Sequence, residues 1–157
     1  MSILDTGEVV QLAVRIEENG YNFYKKFAGT LKNEHERSLF GFLADEELKH
    51  VDVFKTMLGD AGASKRRLNY PDEYSAYLQA YADNLIFTES SLAKEMDKIK
   101  DVRTALDFGI RRELDSILYY QEIKAFVPKN DADRIDGVIR EERAHFLKLS
   151  GMKKELR

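Results

Sequence analysis

The sequence predicts an all-α chain, a four-helix bundle of two antiparallel hairpins joined by a long helical crossover. Three observations predict it. Apolar residues recur every three or four positions through four long stretches. Short loops join the first stretch to the second and the third to the fourth, which makes each pair antiparallel neighbours. The second half of the chain also repeats the first at an offset of 95 or 96 residues. The 157 residues read as one domain, 1–157, long enough to bury a real core.

The first long helix is expected over about 6–28. Asp5 or Thr6 caps it, Glu8 completes a capping box with Asp5, and Gly29 stops it. Its inward seam is Val10, Ala13, Glu17, Gly20, Tyr24 and Phe27. The second is expected over about 34–58, with Asn33 and Glu36 at its start and Gly59 as its stop. Its seam is Phe40, Leu43, Glu47, His50, Phe54 and Met57. Residues 60–100 are too long for a hairpin loop and lack linker composition. They hold a basic loop, Gly62 to Arg67, and a Tyr-rich short helix opened by Pro71-Asp72 that carries Tyr74, Tyr77, Leu78 and Tyr81. A second short helix follows over about 89–99. Together these read as the crossover.

The third long helix is expected over about 101–126, ended by Pro128, with seam Leu106, Gly109, Glu113, Ser116, Tyr120 and Ile123. A short Val127–Asn130 loop leads to the fourth, over about 131–154, with seam Ile135, Val138, Glu142, His145, Leu149 and Met152. Adding 96 to each position of the first seam lands on the third, and adding 95 to the second lands on the fourth. Residue character is kept at each step, so the two hairpins are related by a pseudo-two-fold axis.

Composition narrows the function. A net charge of −3 provides no general basic footprint for nucleic acid, and Lys65-Arg66-Arg67 is too short a run to supply one. No apolar run approaches the ~18 residues of a membrane span. MSILDTGEVV has no basic region followed by an apolar one, so no signal peptide is expected. The chain contains no Cys, which excludes disulfides, a Cys₄ iron site and an Fe–S cluster within it. A cytoplasmic location fits.

Four Glu and two His interrupt otherwise apolar stripes. Two of each form a four-residue pattern used twice, Glu47-x-x-His50 and Glu142-x-x-His145. With 15 Glu and 3 His in the chain, chance supplies about 0.3 such pairs. Residues three apart lie on one helix face, so each carboxylate and imidazole can reach one metal ion. An ionised carboxylate in a bundle core costs several kcal/mol unless compensated. Four together also repel one another, and no Arg or Lys lies on these seams. Two divalent cations would neutralise them. Oxygen-rich ligands with two imidazoles suit iron, or manganese or a mixed pair, better than a soft thiolate metal.

Glu17-x6-Tyr24, Glu47-x-x-His50, Glu113-x6-Tyr120 and Glu142-x-x-His145 together resemble the rubrerythrin (erythrin-like) branch of the ferritin-like di-iron carboxylate proteins. The resemblance covers all four long helices. It implies a ferritin-like bundle with two non-haem iron ions per chain, held by Glu17, Glu47, His50, Glu113, Glu142 and His145, with Glu47 and Glu142 bridging. It implies an oxidoreductase that reduces hydrogen peroxide or dioxygen, serving in oxidative stress. An iron-handling ferroxidase or storage protein, or a non-enzymatic metal-binding module, stands as the alternative. Two departures from the family pattern are visible. Without Cys there is no rubredoxin-like domain, so electrons must come from an external donor such as rubredoxin. Ile110 and Ser116 flank Glu113 at three residues on either side, where an additional Glu ligand is usual in that branch.

Tyr24 and Tyr120 read as core aromatics whose phenols hydrogen-bond ligand carboxylates, and they are the catalytic candidates. Small residues flank both single-Glu positions, Ala13 and Gly20, then Gly109 and Ser116. They fit either close helix packing or room for a metal pair and a small oxidant. Glu18, Glu46 and Glu141 lie about 100° off the seams and read as solvated. His35 reads as a surface residue. The Tyr-rich crossover reads as core or as contact with a second copy, and a homodimer is the expected assembly.

Overall fold

A computed structural model describes residues 4–60 and 72–156. Six α-helices follow in chain order: α1 (Thr6–Ala28), α2 (Glu34–Asp60), α3 (Asp72–Leu85), α4 (Glu89–Lys98), α5 (Val102–Ile123) and α6 (Lys129–Glu155). A 3₁₀ turn, Lys124–Phe126, extends α5. The architecture is all-α among the described residues. Two antiparallel hairpins, α1–α2 and α5–α6, form the bundle, and α3 and α4 carry the chain between them. No helix among the described residues is long and apolar enough to cross a membrane. The basic run Lys65-Arg66-Arg67, the Gly62 to Arg67 loop and Pro71 lie outside the described residues.

Side chains fix the helix starts where spacing predicts. Asp5 Oδ1 accepts from the Glu8 N–H at 2.8 Å, and the Glu8 carboxylate accepts from the Asp5 N–H at 2.7 Å, so the capping box is complete. Asn33 accepts from the Glu36 N–H at 3.0 Å, and Asp101 from the Thr104 N–H at 2.8 Å. The ends differ from expectation in three places. α2 does not stop at Gly59 but runs to Asp60. A glycine costs a helix only about 1 kcal/mol, which the packing of α2 along α1 overrides. The third long helix becomes 3₁₀ after Ile123 rather than staying α-helical to Phe126. α6 begins at Lys129, not Asp131, because Pro128 sits before it with φ −58°, already set for a helix start, and its carbonyl accepts the first helical bond from Ala132.

All twenty-four residues of the four seams are buried. Apart from Gly20, Gly109 and Ser116, they sort into three layers along the bundle. At one end Val10, Ala13, Phe54, Met57, Tyr120, Ile123, Ile135 and Val138 join one apolar cluster. At the other Tyr24, Phe27, Phe40, Leu43, Leu106, Leu149 and Met152 join a second. Glu17, Glu47, His50, Glu113, Glu142 and His145 lie between the two, at mid-helix on all four long helices.

One buried cation ties the crossover to this layer. Arg112, the residue before Glu113, is 6% exposed. Its Nη1 donates to the Leu85 carbonyl at the end of α3 (3.1 Å) and to Asn19 Oδ1 (3.2 Å), and its Nη2 donates to the Ile16 carbonyl (3.1 Å). Asn19 in turn holds the α3–α4 connection at both backbone groups of Phe87, donating to its carbonyl at 2.7 Å and accepting from its N–H at 3.1 Å. On the other flank Tyr81 donates to the Asp115 carbonyl at 2.7 Å and stacks on Tyr119. Tyr74 and Tyr81 therefore pack against the first apolar cluster, while Tyr77 is 45% exposed.

Replacing Arg112 breaks three hydrogen bonds at once and leaves two carbonyls without their donor. Arg112→Ala should lower the unfolding free energy by about 3 kcal/mol, read by urea denaturation. Arg112→Lys should recover little of it, because an ammonium cannot span the same fork. A loss below about 0.5 kcal/mol would remove Arg112 as the clamp on the crossover.

Candidate metal centre

The six seam residues predicted as ligands converge in the middle layer, each at most 5% exposed. Their donor atoms form two groups, each with all its atoms within 4.8 Å of one another: Glu17, Glu47, His50 and Glu142, and Glu47, Glu113, Glu142 and His145. Glu47 and Glu142 belong to both. Each group therefore takes its own Glu and His from one hairpin and shares the two remaining carboxylates.

The unmet polar atoms mark where a cation fits. Of the buried side-chain atoms that make no hydrogen bond, four belong to this layer: Glu17 Oε2, His50 Nδ1, Glu113 Oε2 and Glu142 Oε1. His50 Nδ1 lies 3.3 Å from Glu17 Oε2 and 3.1 Å from Glu142 Oε1, yet has hydrogen-bond geometry to neither. His145 Nδ1, by contrast, is hydrogen-bonded to Glu142 Oε2 at 3.1 Å, while Glu113 Oε2, 3.7 Å from it, stays unbonded like the atoms around His50 Nδ1. Atoms this close that do not bond one another face a common space. An orphaned buried carboxylate oxygen costs more than a kcal/mol, so a group of them at one point fits bound cations.

Two tyrosines cross the bundle to hold the single-Glu positions. Tyr24 of α1 donates to Glu113 Oε1 of α5 at 2.5 Å, and Tyr120 of α5 donates to Glu17 Oε1 of α1. Each carboxylate thereby gives one oxygen to a phenol and keeps the other, the orphaned Oε2, for the centre. Burial pushes both phenols well above their ordinary value, and the facing carboxylates add to it, so both stay protonated donors.

The small residues now have separate reasons. A Cβ on Gly20 would lie 2.9 Å from Glu47 Oε2, so this glycine makes room for a shared carboxylate. A Cβ on Gly109 would meet Leu149 at 3.2 Å and Tyr24 at 3.4 Å, which is helix packing.

Three residues near the centre differ from the sequence reading. Arg112 lies off the seam, yet its guanidinium is buried beside Gly20. Its position one before Glu113 is the only hint the sequence carries. Glu141, read as solvated, is half-exposed but brings Oε2 to 2.7 Å from His50 Nε2. Glu46 has a side chain only 13% exposed, and its Oε2 lies 3.9 Å from His145 Nε2. Residues one position before a ligand turn toward the facing helix here, because α2 and α6 pack side by side. His35 is a surface residue as expected, its side chain 78% exposed.

Without ions the six groups shift one another's proton affinities. Burial raises Glu17, but contact with Glu47 and the His50 charge overcome it and hold Glu17 at about 2. Glu113 is likewise lowered against burial, by Glu142, His145 and Tyr24. Burial raises Glu47 well above the carboxylate range, and Glu17 and Glu142 add to it. Glu142 is raised by burial and then by Glu113 and Glu17. Burial pulls His50 down, but the charge of Glu17 and contact with Glu142 push it up to about 12. His145 reaches about 10 against burial through Glu113 and Glu142. These directions favour negative charge on Glu17 and Glu113, positive charge on His50 and His145, and protons on Glu47 and Glu142 near neutral pH. Two divalent ions on four carboxylates and two neutral imidazoles balance equally.

The family model described as Rubrerythrin matches residues 8–153 of the chain. No curated protein matches it. Among solved structures, one from Thermotoga maritima, described as ferritin-like and diiron-carboxylate, is similar with a TM-score of 0.71. That match has 24% identity and covers 100% of this chain and 99% of that one. At this identity the likeness shows a shared fold.

Exchange of protons for ions at constant charge is measurable. Loading two divalent ions at pH 7 should release about four protons, two from imidazoles and two from carboxyls. Calorimetry in buffers of different ionisation enthalpy reads the number, and a value near zero would refute the exchange. The raised His50 and His145 give the metal-free protein stability that is fully present below 6.5, the unfolded value, and lost as pH rises through about 10 and then about 12. The depressed Glu17 acts in the opposite sense, its contribution present above 4.5 and lost as pH falls toward about 2. The raised Glu47 and Glu142 also cost stability as pH rises above 4.5, where only the unfolded chain ionises them. Melting temperature of the metal-free protein should therefore fall as pH rises above 4.5, and the gain on adding metal should be larger at pH 8 than at pH 6.

Proposed function

The chain belongs to the rubrerythrin family, and from that premise we propose that its buried Glu/His layer holds two non-haem iron ions and that the protein is an oxidoreductase reducing hydrogen peroxide or dioxygen there. The observation that carries the reading is the pair of donor groups sharing Glu47 and Glu142, with four of their atoms buried and unbonded. Six ligands of this type, all oxygen and imidazole nitrogen, suit iron in both common oxidation states. Glu17 and His50 would hold one ion and Glu113 and His145 the other, with Glu47 and Glu142, common to both donor groups, available to each. When bound, the ion pair supplies two electrons, which with two protons convert hydrogen peroxide to two waters.

The chain's own residues prepare the site. Tyr24 Oη and Tyr120 Oη hold protons against Glu113 and Glu17 and fix which oxygen of each carboxylate faces the centre. The apolar clusters above and below exclude bulk water along the bundle axis. Gly20 leaves the space that Glu47 occupies. This chain contains no Cys and so no thiolate centre to return electrons, which an external donor such as rubredoxin supplies.

Anaerobic reconstitution with Fe²⁺ should give about two irons per chain, against one or none if the shared-carboxylate reading is wrong. Adding peroxide or dioxygen to the reduced, loaded protein alone should produce one oxidation event, followed by stopped-flow absorbance. Repeated turnover should appear only with an added reductant. Glu17→Ala and Glu113→Ala should each abolish the oxidation. Loaded protein inert to both oxidants would leave a structural metal site. Oxidation followed by continued iron uptake beyond two per chain would favour iron storage.

A further inference from the structure

The repeated motif is one residue longer than metal binding requires. Both copies read Glu-Glu-x-x-His: Glu46-Glu47-x-x-His50 and Glu141-Glu142-x-x-His145. In each copy the second Glu faces the centre. The first turns about 100° around the helix, toward the facing helix of the other hairpin. There it meets the back of the other copy's imidazole. Glu141 Oε2 of α6 lies 2.7 Å from His50 Nε2 of α2. Glu46 Oε2 of α2 lies 3.9 Å from His145 Nε2 of α6.

The first distance is a hydrogen bond and the second is not. A carboxylate only accepts, so His50 Nε2 carries the hydrogen and donates it to Glu141. In the neutral ring that leaves the Nδ1 lone pair free, and Nδ1 is the atom facing Glu17 and Glu142. The bond fixes the ring's orientation before any ion arrives, and when Nδ1 gives up its proton to an ion the remaining hydrogen stays on Nε2. The second copy is weaker for a visible reason. Lys49, one turn along α2, pairs with Glu46 Oε1. The position that repeats Lys49 in α6 is Ala144, which offers Glu141 no such partner.

We propose that Glu141 is a positioning residue that locks His50 for metal binding across the α2–α6 contact, and that the diversion of Glu46 to Lys49 leaves His145 less organised, so that the two ion positions are inequivalent. The inference rests on the reading that the layer binds two ions. Because Glu141 is half-exposed, its effect belongs at the lower end of the 10- to 100-fold range for such outer partners.

The test uses Co²⁺ alone with the full chain. Titration followed by the visible ligand-field bands should resolve two steps, the tighter one at the His50 position. Proton NMR of the loaded protein should show two exchangeable, strongly shifted imidazole N–H signals, one of them exchanging with solvent more slowly. Glu141→Ala should weaken one ion about ten-fold, leave the other within two-fold, and make the slow N–H signal exchange fast. Glu141→Gln keeps a carbonyl acceptor and should restore most of the slow exchange. Lys49→Ala should slow the exchange of the other N–H signal by freeing Glu46. If two Co²⁺ bind but Glu141→Ala changes neither the affinities nor the exchange, the positioning role is refuted and the metal centre stands. If Glu141→Ala weakens both ions alike, Glu141 acts only on the fold and the inference fails. If the unaltered chain binds fewer than two Co²⁺, the metal-pair reading fails and takes the inference with it.

Discussion

Four carboxyl groups and two imidazoles share a buried layer in the middle of this bundle, and burial makes any net charge in that layer costly. Either protons or divalent ions can balance it. The proton solution splits the carboxyls by environment: contact with Glu47 and Glu142 and the charges of His50 and His145 lower Glu17 and Glu113 against burial, while burial raises Glu47 and Glu142. This split anticipates the ligand roles. The two carboxyls that carry protons are the two common to both donor groups, so the positions that lose protons on loading are those where charge is most concentrated.

Contacts that cross between hairpins enforce the arrangement. Tyr24 reaches Glu113, Tyr120 reaches Glu17, and His50 reaches Glu141, each linking the first hairpin to the second. Each of these bonds joins residues 89 to 103 positions apart in sequence, so no single helix can supply it. The layer therefore forms only when the hairpins meet. The crossover fixes how they meet, through Arg112 and Asn19 on one side and Tyr81 on the other.

The helical seams were legible in the sequence because burial in a bundle imposes a period, and a polar residue on that period is conspicuous. Glu17 and Glu113 stand out among Val, Ala, Gly and Tyr for this reason, and the 95- and 96-residue offsets bring the six polar seam residues into register. Residues that act from outside the period were not legible. Arg112 sits one place from Glu113 and looks like a surface cation, since its acceptors are carbonyls of α1 and α3 that no pattern on α5 reveals. Glu141 looks solvated because periodicity within α6 says nothing of α2 beside it. Helix ends failed for a different reason. Gly59 and Pro128 have local preferences worth about a kcal/mol or a preset φ, and tertiary packing decides which of those governs the boundary.

Glu47 and Glu142 come from different hairpins, and each completes the donor group of the opposite one. Neither hairpin holds a full set of donors alone. Three donors of each group lie on one hairpin and the fourth comes from its counterpart, so a single such hairpin paired with an identical copy would assemble the same centre. The covalent crossover, with its own buried clamp, is then an addition to a site that symmetry alone can build. Breaking that symmetry at single positions, Lys49 against Ala144 and Gly20 against Ser116, becomes open to a chain that encodes its two halves separately.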